Sequence, residues 1–341
     1  AVDCEEMVKR TENAIKRLLG ARKGNLIFTS GGTESINTVL FGVASKTRKT
    51  GICTTEIEHS ASLQACVRVC EDYGHKLSYL PFDERGYIIA GDIGKAVTSD
   101  TYLVSFIHVN NETGIIQDVK RVTEEIKSIN PDCLVHVDGV QAFCKIGFDL
   151  EEAGVDFYSV SSHKIHGPKG IGALYIRDPA SIKPMMVGGG HQYGLRAGTV
   201  NTPGIAGFGK AVEMAARRDS KTVYEIKWKL YEKLKSEIDD MMVIGDDVDK
   251  TSPYILNVAF KDIRGETLLH CLEAENILVS TGSACSAKNS GASHVLKAMG
   301  IGRDYINGSI RISFSDDTTD GEAQYAGRII IDNVKRLRRF A

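Results

Sequence analysis

Short apolar runs alternate with longer amphipathic stretches through the first two thirds of the chain. Residues 25–29, 51–55, 76–80, 103–108, 134–137, 157–161 and 173–176 read as strands, because each is a brief apolar run closed by polar or turn-forming residues. Helical periodicity falls between several of them, at 3–19, 34–44, 60–73, 118–129 and 204–218. That alternation predicts an α/β fold: a mostly parallel, seven-stranded sheet covered by helices. Residues 223–240 are charged and helix-forming, and read as the join to a smaller body. Beyond them, strands are expected at 255–260, 277–280 and 310–314, with helices at 265–275 and 292–299. We therefore expect a large domain over 1–215 and a smaller α+β domain over 216–341.

Bulk composition narrows the function without naming it. At 341 residues the length suits one large domain or two ordinary ones, with ample core. Charged residues make up 25% and the net charge is −2, so no general attraction to nucleic acid or an anionic membrane is implied. No apolar run approaches the roughly 18 residues of a membrane span. The start, Ala1-Val-Asp-Cys-Glu-Glu, lacks the basic flank and apolar core of a secretory leader. Eight cysteines without paired spacing suit a reducing cytoplasm better than a disulfide framework. Cys66 and Cys70 lie four apart on a helical stretch, but no second ligand pair is near. They read as core thiols, and no metal site is expected.

The chemistry gathers around one lysine. Lys164 stands in Ser161-Ser162-His163-Lys164, after a strand, and Asp138 ends an earlier strand in His136-Val-Asp138-Gly-Val-Gln141. Alone, Lys164 would be a surface lysine. A buried acid on one strand and a lysine among small hydroxyl residues on a later one are what pyridoxal phosphate (PLP) requires. The amine condenses with the aldehyde, and the carboxylate keeps the ring nitrogen protonated. Phosphate needs a cradle, and strand, Ser30-Gly31-Gly32-Thr33, helix is an anion-binding order. The bland reading of that tetrapeptide is a helix cap after a glycine turn. Far along the chain, Ser280-Thr-Gly-Ser-Ala-Cys285-Ser-Ala is small, polar and glycine-punctuated, which predicts a surface loop carrying an accessible thiol. The other seven cysteines read as small hydrophobes in apolar or helical contexts. Arg311 lies on a strand pattern, suited either to a two-point carboxylate contact or to a structural ion pair.

Taken in order, Phe28-Thr-Ser-Gly-Gly-Thr-Glu-Ser, Glu58-His59-Ser-Ala, Val109-Asn-Asn111-Glu-Thr-Gly, His136-Val-Asp138-Gly-Val-Gln141, Ser161-Ser-His-Lys164, the Gly188-to-Thr199 segment and Ser283-Ala-Cys285-Ser resemble the cysteine desulfurases of the NifS/IscS type, fold-type I PLP enzymes. The resemblance covers essentially the whole chain. Three features depart from the family pattern. The usual initial strand with its Asn-Ala-Ala-Thr-like segment has no match, so the chain is expected to start at the following helix. Gln192-Tyr193 stands where Glu-Arg is commoner, and Thr281 where serine is usual.

The resemblance implies a role for each matching residue. Lys164 would carry PLP and move protons, Asp138 would pair with the ring nitrogen, and Gln141 would bond the phenolic oxygen. His59 would lie on the ring face and assist proton transfer. Gly32, Thr33, Ser161 and His163 would hold phosphate, with Thr199 reaching from the other subunit of a homodimer. Asn111 would also touch the cofactor, and Asn111 and Arg311 would hold the substrate carboxylate. Cys285 would take sulfur from L-cysteine as a persulfide, release L-alanine, and hand the sulfur to an iron–sulfur scaffold or a thiolation carrier. Two other readings of the residues remain at this stage: a selenocysteine lyase or related PLP lyase, and a non-catalytic scaffold of the same fold.

Overall fold

The computed structural model describes residues 2–217, 219–282 and 293–340. Backbone contacts divide the chain into two units. The first comprises 1–82, 88–109 and 117–217; the second comprises 83–87, 110–116 and 218–341.

In the first unit the helices are α1 (Val2–Leu18), α2 (Gly32–Ala44), α3 (Ser60–Tyr73), α4 (Val119–Ile129), α5 (Leu150–Ala153) and α6 (Thr202–Ala215). The strands are β1 (Asn25–Thr29), β2 (Gly51–Thr54), β3 (Lys76–Tyr79), β4 (Thr101–Ile107), β5 (Leu134–Asp138), β6 (Phe157–Ser161) and β7 (Gly172–Ile176). They form one sheet in the order β1-β7-β6-β5-β4-β2-β3, in which β7 alone runs against its neighbours. β4, β6 and β7 are buried at every position, as expected of strands covered on both faces. Alternate residues feed two cores. Val104, Phe106, Val135, Val137 and Tyr158 pack with Ile15 of α1, Ile126 of α4 and Phe208 of α6. On the opposite face Leu103 and Phe157 pack with Ile36 and Val39 of α2 and Cys66 and Val69 of α3. The result is a three-layer α/β/α unit.

A polar row crosses the buried middle of this sheet. His136 bonds Ser105 Oγ through Nδ1 at 2.8 Å and Ser159 Oγ through Nε2 at 2.9 Å. Burial lowers its pKa to about 3, so the ring is neutral and knits β4, β5 and β6 together. One step further along the same face, Asp138 and Ser161 end β5 and β6. The parallel strands thus deliver both residues to their carboxyl ends, where ligands of open α/β sheets bind.

The second unit holds α7 (Ser220–Glu237), α8 (Gly265–Glu273), α9 (His294–Ala298), α10 (Arg303–Asn307) and α11 (Asp320–Leu337). Its strands β8 (Met241–Val243), β9 (Ile255–Phe260) and β10 (Ser309–Ser313) form an antiparallel sheet in the order β10-β9-β8. Leu230 and Leu234 of α7, Leu268 of α8 and Ile330 of α11 close its core. Lys227, fully buried on α7, donates to Val248 O at 3.0 Å, Thr251 Oγ1 at 2.7 Å and Ser252 O at 2.8 Å, which satisfies all three protons.

Several expectations need correction here. Residues 277–280 make only a single bridge, Ser280 to Arg311, rather than a strand. The short strand β8 and the long helix α11 lie outside the elements that the sequence pattern predicts. α11 starts on a capping box, Thr319 with Glu322, that was there to be read. Residues 223–237 of the charged stretch lie in α7, whose apolar side packs in the core of the second unit. Of the seven cysteines read as hydrophobes, Cys53, Cys66 and Cys133 are buried, Cys70, Cys144 and Cys271 are half-buried, and Cys4 is exposed, because α1 turns its start to solvent.

Candidate active site

At the carboxyl edge of the large sheet, α2 opens directly after β1. Its cap position is Gly31, with no side-chain cap bond, so the first-turn amides are left without the usual hydroxyl or carboxylate acceptor. Gly31 has room for a Cβ, 3.8 Å from Ser161 Oγ, but its φ of 155° disfavours any other residue, and the neighbouring glycines are tightly packed. A Cβ on Gly32 would come 2.7 Å from Val140 Cγ2, and one on Gly172 would come 2.7 Å from Gly31 Cα. Close packing beneath the turn therefore favours glycine at these positions and lets the turn sit low on the sheet. Thr33 is exposed at this helix start, and Ser161 is buried at the end of β6. His163 is exposed, and its Nδ1 lies 2.9 Å from Ser161 Oγ. Burial, then the charges of Lys164, Lys169 and Lys145, lower the His163 pKa below the ordinary value. The donor set of open helix amides, two hydroxyls and an imidazole suits a phosphate group.

The turn is braced by a pair that local sequence did not reveal. Arg196 reaches Glu34 through Nε at 3.0 Å and Nη2 at 3.5 Å, and Glu34 Oε2 accepts the Ser30 amide at 2.7 Å. Burial opposes the charge on Glu34, but Arg196 and Ser30 outweigh it and the pKa falls below the ordinary value. An acid beside a phosphate cradle looks misplaced until its arginine is seen, 162 positions away in sequence. Gln192, the departure from Glu, uses its whole amide. It accepts from Phe28 N at 2.6 Å and donates to Phe28 O at 3.0 Å, capping the open edge of β1.

Lys164 lies in the single turn 162–165 that follows β6 and is half-buried. Asp138 is buried and accepts the Val140 amide at 3.0 Å. Burial lifts its pKa to about 6, offset in part by that amide and by the charge of Lys164. A nearby cation would hold it ionised, and a protonated ring nitrogen is such a cation. Gln141 is buried three residues on. His59 caps α3, its Nδ1 accepting the Ala61 amide at 3.1 Å, so in the neutral ring the proton sits on Nε2. The structure thus brings Gly32, Thr33, Ser161, His163, Lys164, Asp138, Gln141 and His59 into one unit. Thr199 is in the same unit and is exposed.

Gly139, next to Asp138, offers a direct test of this packing. A Cβ there would fall 1.9 Å from the Tyr158 ring. Tyr158 in turn bonds His108 Nδ1 at 2.8 Å and stacks on Phe148 at 5.2 Å. Gly139→Ala is expected to lose about 1–3 kcal/mol of stability by overpacking. It should also hold cofactor less well than Val140→Ala, as read from denaturation midpoints and bound PLP after dialysis.

In the second unit Arg311 of β10 donates from Nη1 to Asn111 O at 2.8 Å and from Nη2 to Ser280 Oγ at 3.2 Å. Its Nε is buried without a partner among the described residues, and so is Asn111 Oδ1. The guanidinium thus makes hydrogen bonds rather than an ion pair among the described residues, and its unspent N–H is of the kind that a carboxylate could take. Cys285 lies outside the described residues. Among those described, no three metal-ligating side chains converge, and no helix is long and apolar enough to cross a membrane.

The sequence matches the aminotransferase class-V family over residues 1–325. The chain belongs to that family. It is 35% identical to the cysteine desulfurase IscS of Clostridium botulinum, across 99% of this chain and 86% of the relative. The corresponding enzyme of Vibrio cholerae is 39% identical, across 99% and 83%. Among solved structures, a NifS-like protein superposes with a TM-score of 0.90 at 38% identity, covering 98% of this chain and 89% of that one. SspA in complex with cysteine gives 0.81 at 32% identity, covering 93% and 89%. The α/β architecture is accordingly that of fold-type I PLP enzymes.

Proposed function

We propose that the protein is a PLP-dependent cysteine desulfurase that converts L-cysteine to L-alanine and passes the sulfur to Cys285. The observation that carries this reading is the placement of Lys164, Asp138, His59 and the uncapped start of α2 at the carboxyl ends of the strands of one sheet. The α2 amides, Thr33, Ser161 and His163 would hold the phosphate, Asp138 the ring nitrogen, Gln141 the phenolic oxygen, and Lys164 the aldehyde carbon. When bound, PLP supplies an electron sink for the substrate's Cα.

The chain's own groups do the rest. Arg311 and Asn111 orient the substrate carboxylate. Lys164 Nζ carries the proton to and from Cα, and His59 Nε2 assists at the ring face. The Cys285 thiolate attacks the substrate sulfur, the Cβ–S bond breaks with its electrons remaining on the carbon fragment, and two protons complete alanine. In net terms L-cysteine and the Cys285 thiol become L-alanine and a Cys285 persulfide. A protein acceptor, an iron–sulfur scaffold or a thiolation carrier, then removes the sulfur. A reducing cytoplasm suits that thiol.

Purified protein given L-cysteine and a reductant should form alanine and sulfide in equal amounts. Turnover of selenocysteine alone would make it a lyase, and neither product would leave a scaffold. We also place Thr199 on the phosphate of a neighbouring copy in a homodimer. Thr199→Ala is expected to weaken PLP retention by roughly 1.5–3 kcal/mol, the value of a hydrogen bond to a charged group. Cofactor dissociation and molar mass in solution check this. A fully active monomer at high dilution would remove the shared site.

A further inference from the structure

Glu58 precedes His59 in the turn after β2 and is 0% exposed. Its Oε1 accepts the Thr55 hydroxyl at 2.6 Å and the Ile107 amide at 3.1 Å. Ile107 is the β4 residue paired in register with Asp138 of β5. Two carboxyl groups thus lie one strand apart in the same buried layer, and the charge of Asp138 disfavours charge on Glu58. Two carboxylates cannot both ionise there at low cost. Asp138 is the one favoured by Lys164, and it would gain a second cation when a ring nitrogen is bound.

We propose that Glu58 is a proton-carrying positioning residue: it stays neutral so that Asp138 is the sole anion facing the cofactor ring, while its bonds to Thr55 and Ile107 fix the turn that presents His59. This rests on the desulfurase reading for its purpose, but not for its measurement. Among the described residues, Asp138 from β5 and the Cys66 thiol from α3 face Glu58, with His59 next in the chain. Burial, opposed by Thr55 and Ile107 and aided by Asp138, lifts the Glu58 pKa from 4.5 to about 8. A carboxyl raised in this way contributes stability below its unfolded pKa. That contribution is lost as pH rises through the folded value, so the loss falls between about 4.5 and about 8.

The test uses the parent, Glu58→Gln and Glu58→Ala. The amide keeps an oxygen for Thr55 and Ile107 but cannot ionise. Thermal unfolding of cofactor-free protein from about pH 4.5 to 9.5 should show the parent losing stability relative to Glu58→Gln up to about pH 8 and levelling above it. In loaded protein, PLP retention by the parent should weaken by up to about tenfold per pH unit above the transition. Glu58→Gln should hold its cofactor there, and Glu58→Ala should release it at every pH. Infrared difference spectra of the parent with isotope-labelled glutamate should show a buried protonated carboxyl at pH 6 that is gone at 9.5. This last measurement requires no variant to fold. Coincident pH profiles for parent and Glu58→Gln, an amide variant as defective as alanine, or no protonated glutamate at pH 6 would each overturn the proposal. Failure of the desulfurase reading would show differently, as absent alanine formation with the carboxyl band still present.

Discussion

Lys164→Ala is expected to abolish alanine and sulfide formation from L-cysteine, by at least about a thousandfold, or roughly 4 kcal/mol of barrier. The amine is asked both to hold the cofactor and to carry the Cα proton, and a methyl group does neither. Retention of PLP should fall far less than activity, because the start of α2, Ser161 and His163 are untouched. Lys164→Arg is expected to be as inactive as alanine, since a guanidinium stays protonated and cannot condense with an aldehyde. Borohydride reduction followed by peptide mapping identifies the residue that carried the cofactor. A label on Lys145 or Lys169, whose charges also reach His163, would sink the assignment, as would a tenth of parental turnover in the alanine variant.

Cys285→Ser should bind L-cysteine as the parent does, seen as the same substrate-induced change in visible absorbance. Sulfide release should drop at least about a hundredfold, roughly 2.7 kcal/mol, because a hydroxyl is a poor nucleophile towards sulfur. The separation matters more than the size of the loss. Lys164→Ala removes an early role and Cys285→Ser a late one, so their combination should cost little more than the first alone. Normal sulfide release from the serine variant would end the persulfide mechanism. Mass spectrometry of the parent after limited L-cysteine should find one added sulfur on the peptide holding Cys285. The exposed Cys4 serves as the internal control for non-specific sulfuration.

The sheet was legible because its evidence is local. Most strands from β1 to β7 show as a short apolar run, with β3 (Lys-Leu-Ser-Tyr) the weakest, and the turns between them carry their own glycine and polar signals. The weaker reading came in the second unit. There β8 has only three residues, half-buried along its length, and too brief a run to show a period. The 277–280 run is apolar enough for a strand, yet it has a ladder partner only at Ser280. The capping box before α11 is the local signal that marks its start.

What the sequence by itself determined was the chemistry within a few residues of a strand end. Lys164 stands in the turn after β6, Asp138 ends β5, and Ser30-Gly-Gly-Thr opens α2, since turn type and helix starts depend on near neighbours. What only the tertiary structure decided were the contacts made across the strand order. Arg196 meets Glu34 at a separation of 162 residues, and Gln192 caps β1 at 164. Arg311 is held by Asn111 at 200, and Glu58 lies a strand away from Asp138 because β2 and β4 are neighbours despite β3 between them in the chain. No periodicity encodes such pairs. They follow from crossover topology and burial, and burial is what turns Glu58 from an ordinary surface carboxylate into an acid that keeps its proton.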